Sequence, residues 1–194
     1  MSKRLFDVIV FGATGFTGNV VVKHLMQLGS RESISWAVAG RNENKLHSLK
    51  SLMKINGRNT SAFNVNVFDS KSVQSVTEKA KIVINCIGPY SKYGESVVNS
   101  CLQTKTHLID LSGEPLFLEK TQLKYNDEAL KRETFVIGSC GFDSLPADIG
   151  FSLLTKECSD IQSVETFIEM HYKKRLLFNL GTWESLLENN CLKI

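Results

Sequence analysis

The chain has 194 residues, 42% of them hydrophobic and 22% charged, with a formal net charge of +3. This is an ordinary globular composition able to bury a core, and so small a charge with no long basic block gives nucleic-acid binding no support. Cys86, Cys101, Cys140, Cys158 and Cys191 are an odd set without CxxC spacing, which argues for reduced thiols in a cytosolic-facing setting and against a disulfide framework or metal site.

No window approaches the ~18 continuous apolar residues of a membrane span. Lys3 and Arg4 precede an apolar stretch, yet Asp7 inside it and the glycines after it speak against a signal peptide. Leu5 to Phe11 reads as a buried strand that breaks into Gly12, Gly15 and Gly18. A helix pattern follows, with Val21, Leu25 and Leu28 on one face and Gly29 at its end. Gly12 permits the tight turn, Gly15 lets backbone approach a phosphate without an intervening Cβ, and Gly18 lets the helix pack close to the sheet. The helix N-terminus then offers N–H donors and a positive dipole end to an anion, so the stretch predicts a dinucleotide pyrophosphate site.

Ile34 to Ala39 predicts the second strand, followed by Gly40, Arg41 and Asn42. An acid at this place would bond a ribose 2′-OH, whereas Arg41 suits a 2′-phosphate and points to NADP(H). The alternative is a solvated arginine at a strand end. Asn42 caps a helix carrying Leu46, Leu49 and Met53, which Asn56-Gly57 ends. Phe63, Val65 and Val67 alternate with Asn64 and Asn66, predicting an edge strand wet on one face. Asp69 or Ser70 opens a helix bearing Val73, Val76 and Ala80, and Lys81 to Gly88 returns as a strand buried on both faces. Val97, Val98, Cys101 and Leu102 mark the next helix, His107 to Leu111 a fifth strand, Ala129 and Leu130 a helix, and Phe135 to Gly138 a sixth strand. This alternation predicts an α/β, Rossmann-like, doubly wound parallel sheet in the order 3-2-1-4-5-6.

Ligands of such sheets bind beyond the carboxyl ends of the strands. The segments leaving those ends are Gly88 to Gly94, Ser112 to Pro115 and Ser139 to Pro146. Gly88 and Pro89 suit a backbone crossing beside a nicotinamide ribose. Tyr90, Tyr93 and Glu114 either face the reacting carbon or belong to turns, and Ser144 caps a helix with Pro146 in its first turn. Neither tyrosine has a lysine four residues on, so short-chain reductase chemistry is not encoded. His24, His47, His107 and His171 lack metal spacing and read as structural, and Lys173, Lys174 and Arg175 as a solvated strand end. No catalytic residue and no metal ligand is assigned.

The segments FGATGFTG, WAVAGRNENKL, INCIGPYSKYGE, IDLSGEPLFLE, QLKYNDEA and GSCGFDSLPAD, in this order, resemble the saccharopine dehydrogenase-like oxidoreductases, whose bacterial members include trans-acting enoyl reductases of lipid synthesis. The resemblance runs from Phe6 to about Asp148, and GTWES at Gly181 to Ser185 resembles the start of the family's second domain. It implies NADP binding by Gly12, Thr14, Gly15, Phe16, Thr17 and Arg41, with Gly88 and Pro89 beside the nicotinamide. For the animal members it further implies association with a lipid droplet or membrane surface on the cytoplasmic side, and the oxidoreductase reading takes a lipid-like or small carbonyl or enoyl substrate. GATGFTG differs from the GxGxxG of the saccharopine-forming enzymes, so lysine metabolism is not expected. The chain divides into a dinucleotide-binding domain, residues 1–155, and the incomplete start of a second α+β domain, residues 156–194, as in a truncated form. Val164 to Tyr172 alternates as a first strand of that domain, whose exposure favours a homo-oligomer. Two function classes follow: an NADP(H)-dependent oxidoreductase, or a non-catalytic cofactor-binding or membrane-associated interaction protein.

Overall fold

A computed structural model describes residues 4–28, 33–55, 60–169 and 171. Six strands and six helices alternate along them: β1 (Phe6–Phe11), α1 (Phe16–Leu28), β2 (Trp36–Gly40), α2 (Glu43–Ile55), β3 (Ser61–Asn64), α3 (Ser70–Thr77), β4 (Ala80–Asn85), α4 (Tyr90–Thr104), β5 (His107–Asp110), α5 (Pro115–Arg132), β6 (Val136–Ile137) and α6 (Leu145–Glu157). All strand pairs are parallel, in the order β3-β2-β1-β4-β5-β6. The chain thus reverses its direction of winding between β1 and β4, the place where such sheets bind ligands.

The period-2 alternation of β1 explains the two helical layers. Val10 points into a core with Val22 and Leu25 of α1 and Leu46, Leu49 and Met53 of α2. Ile9 and Phe11 point the other way, into a core with Val73 of α3, Val97, Val98 and Cys101 of α4, and Phe117 of α5. Each such side chain, taken from water, contributes about 1.5–3 kcal/mol. β3 is the edge strand and its Asn64 is exposed.

Several element bounds differ from the sequence reading. Leu5 is 64% exposed and precedes β1. Ala80 is the first residue of β4 rather than the last of α3, because its partner Phe6 draws it into the sheet. β4 ends at Asn85, where the Asn85 side chain takes the Ile87 N–H into a local turn. Its Ile82 and Ile84 are half-buried, so β4 is not covered equally on both faces. Tyr90 to Gly94, read as loop, form the first turns of α4. Ser144 stands at the N-cap of α6 without a side-chain cap bond, since its ψ of −52° is helical rather than extended. No strand forms over residues 161–169, because among the described residues nothing pairs with them. Asn56-Gly57, Gly29, Tyr172 to Arg175, GTWES and Cys191 lie outside the described residues. Among the described residues no helix is long and apolar enough to cross a membrane.

Candidate functional site

The turn after β1 is built by contact as much as by conformation. Gly12 has φ of +72°, a left-handed value that disfavours any side chain, and a Cβ there would meet the Cys86 carbonyl oxygen at 2.9 Å. The Gly15 N–H donates to the Gly12 carbonyl at 2.9 Å, and the Ala13 N–H ties the turn to Ala39 of β2 at 3.2 Å. A Cβ on Gly18 would stand 2.1 Å from the Gly12 carbonyl oxygen. Gly18 is therefore needed for helix against turn, not helix against sheet as the sequence suggests. Gly15 is exposed, and a Cβ on it would meet only that same oxygen, at 3.2 Å.

Phe16 and Thr17 open α1 and are exposed, while Thr14 is half-buried. The first turn of α1 contains no acidic residue, and among the described residues no carboxylate accepts from the Phe16, Thr17 or Gly18 N–H, so its donors and dipole end have no internal anion. This cradle fits a pyrophosphate: it is narrow where a Cβ would fill it and open where an anion would lie. Thr14 Oγ1 lies 3.5 Å from where a Cβ on Gly40 would stand, which brings the end of β2 up to the glycine turn. Arg41 follows, exposed, and its guanidinium has no partner among the described residues. Asn42 caps α2 by accepting the Lys45 N–H at 2.9 Å.

On the other side of β1, the Gly88–Pro89 peptide is cis, with Gly88 exposed and Pro89 buried at the N-cap of α4. Glu114, 2% exposed, accepts the Tyr90 N–H on Oε1 and the Ser91 N–H on Oε2, both at 2.8 Å. The Tyr90 hydroxyl donates to the Asn85 carbonyl at 3.0 Å and accepts the Leu111 N–H at 3.4 Å. Tyr93 packs edge-on against Phe68, ring centroids 5.6 Å apart. Of the two readings open to Tyr90 and Glu114, the structure supports the inward, architectural one.

Sequence reasoning overlooked the polar pair beneath this loop. Asn85 and Asp110 are register partners at the ends of β4 and β5, and both are buried. The Asn85 Nδ2 has no hydrogen-bond partner among the described residues. Asp110 Oδ1 accepts the Ser112 N–H at 2.9 Å and the Ser139 N–H at 3.3 Å. Burial nevertheless raises the Asp110 carboxyl above its usual range. Burial, and then the Asp110 charge, push the Cys86 thiol up to about 12, and burial raises the Tyr90 phenol. Burial thus favours the protonated thiol and phenol over their charged forms. The available signal was a polar residue closing each apolar strand, as in INC and LID.

A cavity of about 640 Å³ opens between α5 and β6, walled by Phe117, Leu118, Tyr125 and Ile137, with Asp110 and Ser139 also in its lining. Every large apolar side chain of α6 is at least 43% exposed, Phe151 and Leu153 among them. His107 is structural, its Nδ1 accepting the Phe135 N–H at 3.1 Å. Among the described residues no cluster of three or more His, Cys, Asp or Glu is placed to hold a metal.

The family model for the saccharopine dehydrogenase NADP-binding domain matches residues 8–137. The chain is 39% identical over 188 residues to a "Lipid droplet localized protein" of Caenorhabditis elegans, covering 94% of this chain and 44% of that protein. It is 37% identical over 198 residues to the "Saccharopine dehydrogenase-like oxidoreductase" of Homo sapiens, covering 95% and 46% respectively. The chain thus spans a little under half the length of these relatives. The apo saccharopine dehydrogenase (L-Glu forming) of Saccharomyces cerevisiae shares the fold, with a TM-score of 0.60 at 23% identity, over 78% of this chain and 32% of that one. With the glycine cradle, the strand order and these likenesses together, the chain belongs to the saccharopine dehydrogenase-like oxidoreductase family and carries its NADP-binding domain.

Proposed function

We propose that the carboxyl edge of the sheet holds NADP(H), with Gly12, Thr14, Gly15, Phe16 and Thr17 around the pyrophosphate, Arg41 at the 2′-phosphate, and Gly88 and Pro89 beside the nicotinamide. The observation that carries this reading is the glycine cradle before an acid-free α1 N-terminus, with Arg41, unpartnered among the described residues, at the neighbouring strand end. When bound, the nicotinamide supplies hydride transfer, and the protein supplies position and electrostatics. Residues 1–155 form the cofactor domain, and residues 156–194 open a second domain that takes a lipid-like substrate. The apolar cavity beside β6 lies within the usual range for small-molecule sites and supports that substrate class. The name of the nematode relative supports a place at a lipid droplet surface. The exposed Val164, Phe167 and Ile168 favour association with a second copy, which sedimentation tests; a monomer at every concentration overturns it.

A second reading, a cofactor-binding module without turnover, is favoured by one observation: Tyr90 and Glu114 are both committed to internal bonds. Fluorescence titration with NADPH and NADH, on the chain and on Arg41→Ala, tests the cofactor assignment. Preference for NADPH that the substitution abolishes supports it, and binding of neither nucleotide overturns it. Loss of NADPH absorbance with acyl, enoyl or carbonyl substrates separates the oxidoreductase from the module.

A further inference from the structure

Glu114 occupies the N-cap position of α5, yet its side chain makes no cap bond to α5. It reaches instead to α4, 24 residues away, and satisfies two donors of that helix's first turn. Pro115, the first residue of α5, has no N–H, which removes one of the donors that a helix start leaves unpaired. A carboxylate at a helix N-terminus that accepts two charge-assisted bonds while buried is held in one geometry by both helices. The contact is reinforced by the Tyr90 and Phe117 rings, 5.8 Å apart, and by Gly94, where a Cβ would stand 2.5 Å from the Phe117 ring. The Tyr90 hydroxyl meanwhile spans the ends of β4 and β5. Of the helices meeting at the winding reversal, α1 thus presents its terminus to solvent, whereas α4 is closed by an anion of the protein's own.

We propose that Glu114 is a positioning residue for the nicotinamide half of the dinucleotide: by clamping α4 it fixes the Gly88–Pro89 backbone against which that half lies, and by supplying the α4 anion it leaves α1 as the terminus that receives the phosphates. This inference rests on the cofactor reading above. It predicts a split between the two halves of the ligand, which a merely structural residue does not produce.

The test titrates the 194-residue chain with NADPH, followed by its nicotinamide fluorescence, and with 2′,5′-ADP, which carries only the adenosine half. Glu114→Gln keeps the side-chain shape but loses the charge and opposes one donor with another. The expected result is a loss of NADPH affinity of roughly tenfold, with 2′,5′-ADP affinity within about twofold of the unaltered chain. Equal loss of both ligands, or loss of neither, overturns the proposal. If circular dichroism shows Glu114→Gln unfolded, Glu114→Asp decides: it keeps the charge but shortens the reach to the Tyr90 and Ser91 N–H groups, and the same split in smaller measure is required. Should the unaltered chain bind neither ligand, the cofactor reading falls and this inference with it, an outcome distinct from binding without the split.

Discussion

Gly18 lies so close to Gly12 that a Cβ on it would stand 2.1 Å from the Gly12 carbonyl oxygen, and 2.7 Å from the carbonyl carbon. The neighbour is backbone, so it cannot swing aside as a side chain would. Gly18→Ala is expected to lower stability by roughly 1–3 kcal/mol in urea denaturation, the usual cost of overpacking. Gly15 makes a useful contrast, since its Cβ would meet that oxygen at 3.2 Å and otherwise face open space. Gly15→Ala should cost under about 1 kcal/mol in stability yet at least roughly tenfold in NADPH affinity, the methyl standing where backbone must approach phosphate. Normal NADPH binding by Gly15→Ala would sink the assignment of this turn.

Arg41 is exposed and unpartnered among the described residues, so its removal takes nothing from the fold. Arg41→Ala should leave the melting temperature unchanged while cutting the preference for NADPH over NADH by about ten- to a hundredfold, the worth of charge-assisted bonds to a phosphate. Competing titrations at one ionic strength measure this. An unchanged preference places 2′-phosphate recognition elsewhere.

Glu95 joins α4 to α5 by accepting hydrogen bonds from Lys124, from Lys120 at 2.9 Å and from the Tyr125 hydroxyl at 3.1 Å. Lys124 first, and then Lys120, lower its carboxyl from 4.5 to about 2. A lowered folded value means stability present above the unfolded value and lost as pH falls through the folded one. The Glu95 side chain is 37% exposed, and solvent screening holds its contribution to about 1 kcal/mol at most. The stability difference between the chain and Glu95→Gln should therefore be constant above about pH 4.5 and shrink towards pH 2. A difference independent of pH would show that the ion pairs contribute nothing.

Asp110 carries the opposite sign. Burial raises its carboxyl above 3.8, so the ionised form is penalised in the folded chain, and the penalty grows as pH rises through the raised value. Asp110→Asn keeps an oxygen for the Ser112 and Ser139 N–H groups and removes the buried charge. It should melt higher than the unaltered chain at pH 7, with the two converging below pH 3.8. A lower melting point at pH 7 would mean that the ionised carboxylate is needed.

The order of elements, the parallel sheet and the glycine cradle were legible in the residues, because period-2 and period-3.6 apolar patterns and glycine spacing are local properties of the chain. The place of Arg41 at the end of β2 was legible for the same reason: it follows its strand directly. The exact ends of β4 and α3 were not, since Phe6, 74 residues away in sequence, decides that Ala80 belongs to the sheet. Nor was the true neighbour of Gly18, which is the turn six residues earlier rather than a strand. Glu114 shows the limit most clearly: local pattern leaves it either facing the reacting carbon or belonging to a turn, and only packing turns it to α4. Local pattern determined which segments are strands, helices and glycine turns. Tertiary structure alone decided which buried polar groups meet at the strand ends, because those partners lie far apart in sequence and are chosen by the need to satisfy every donor and carboxylate taken from water.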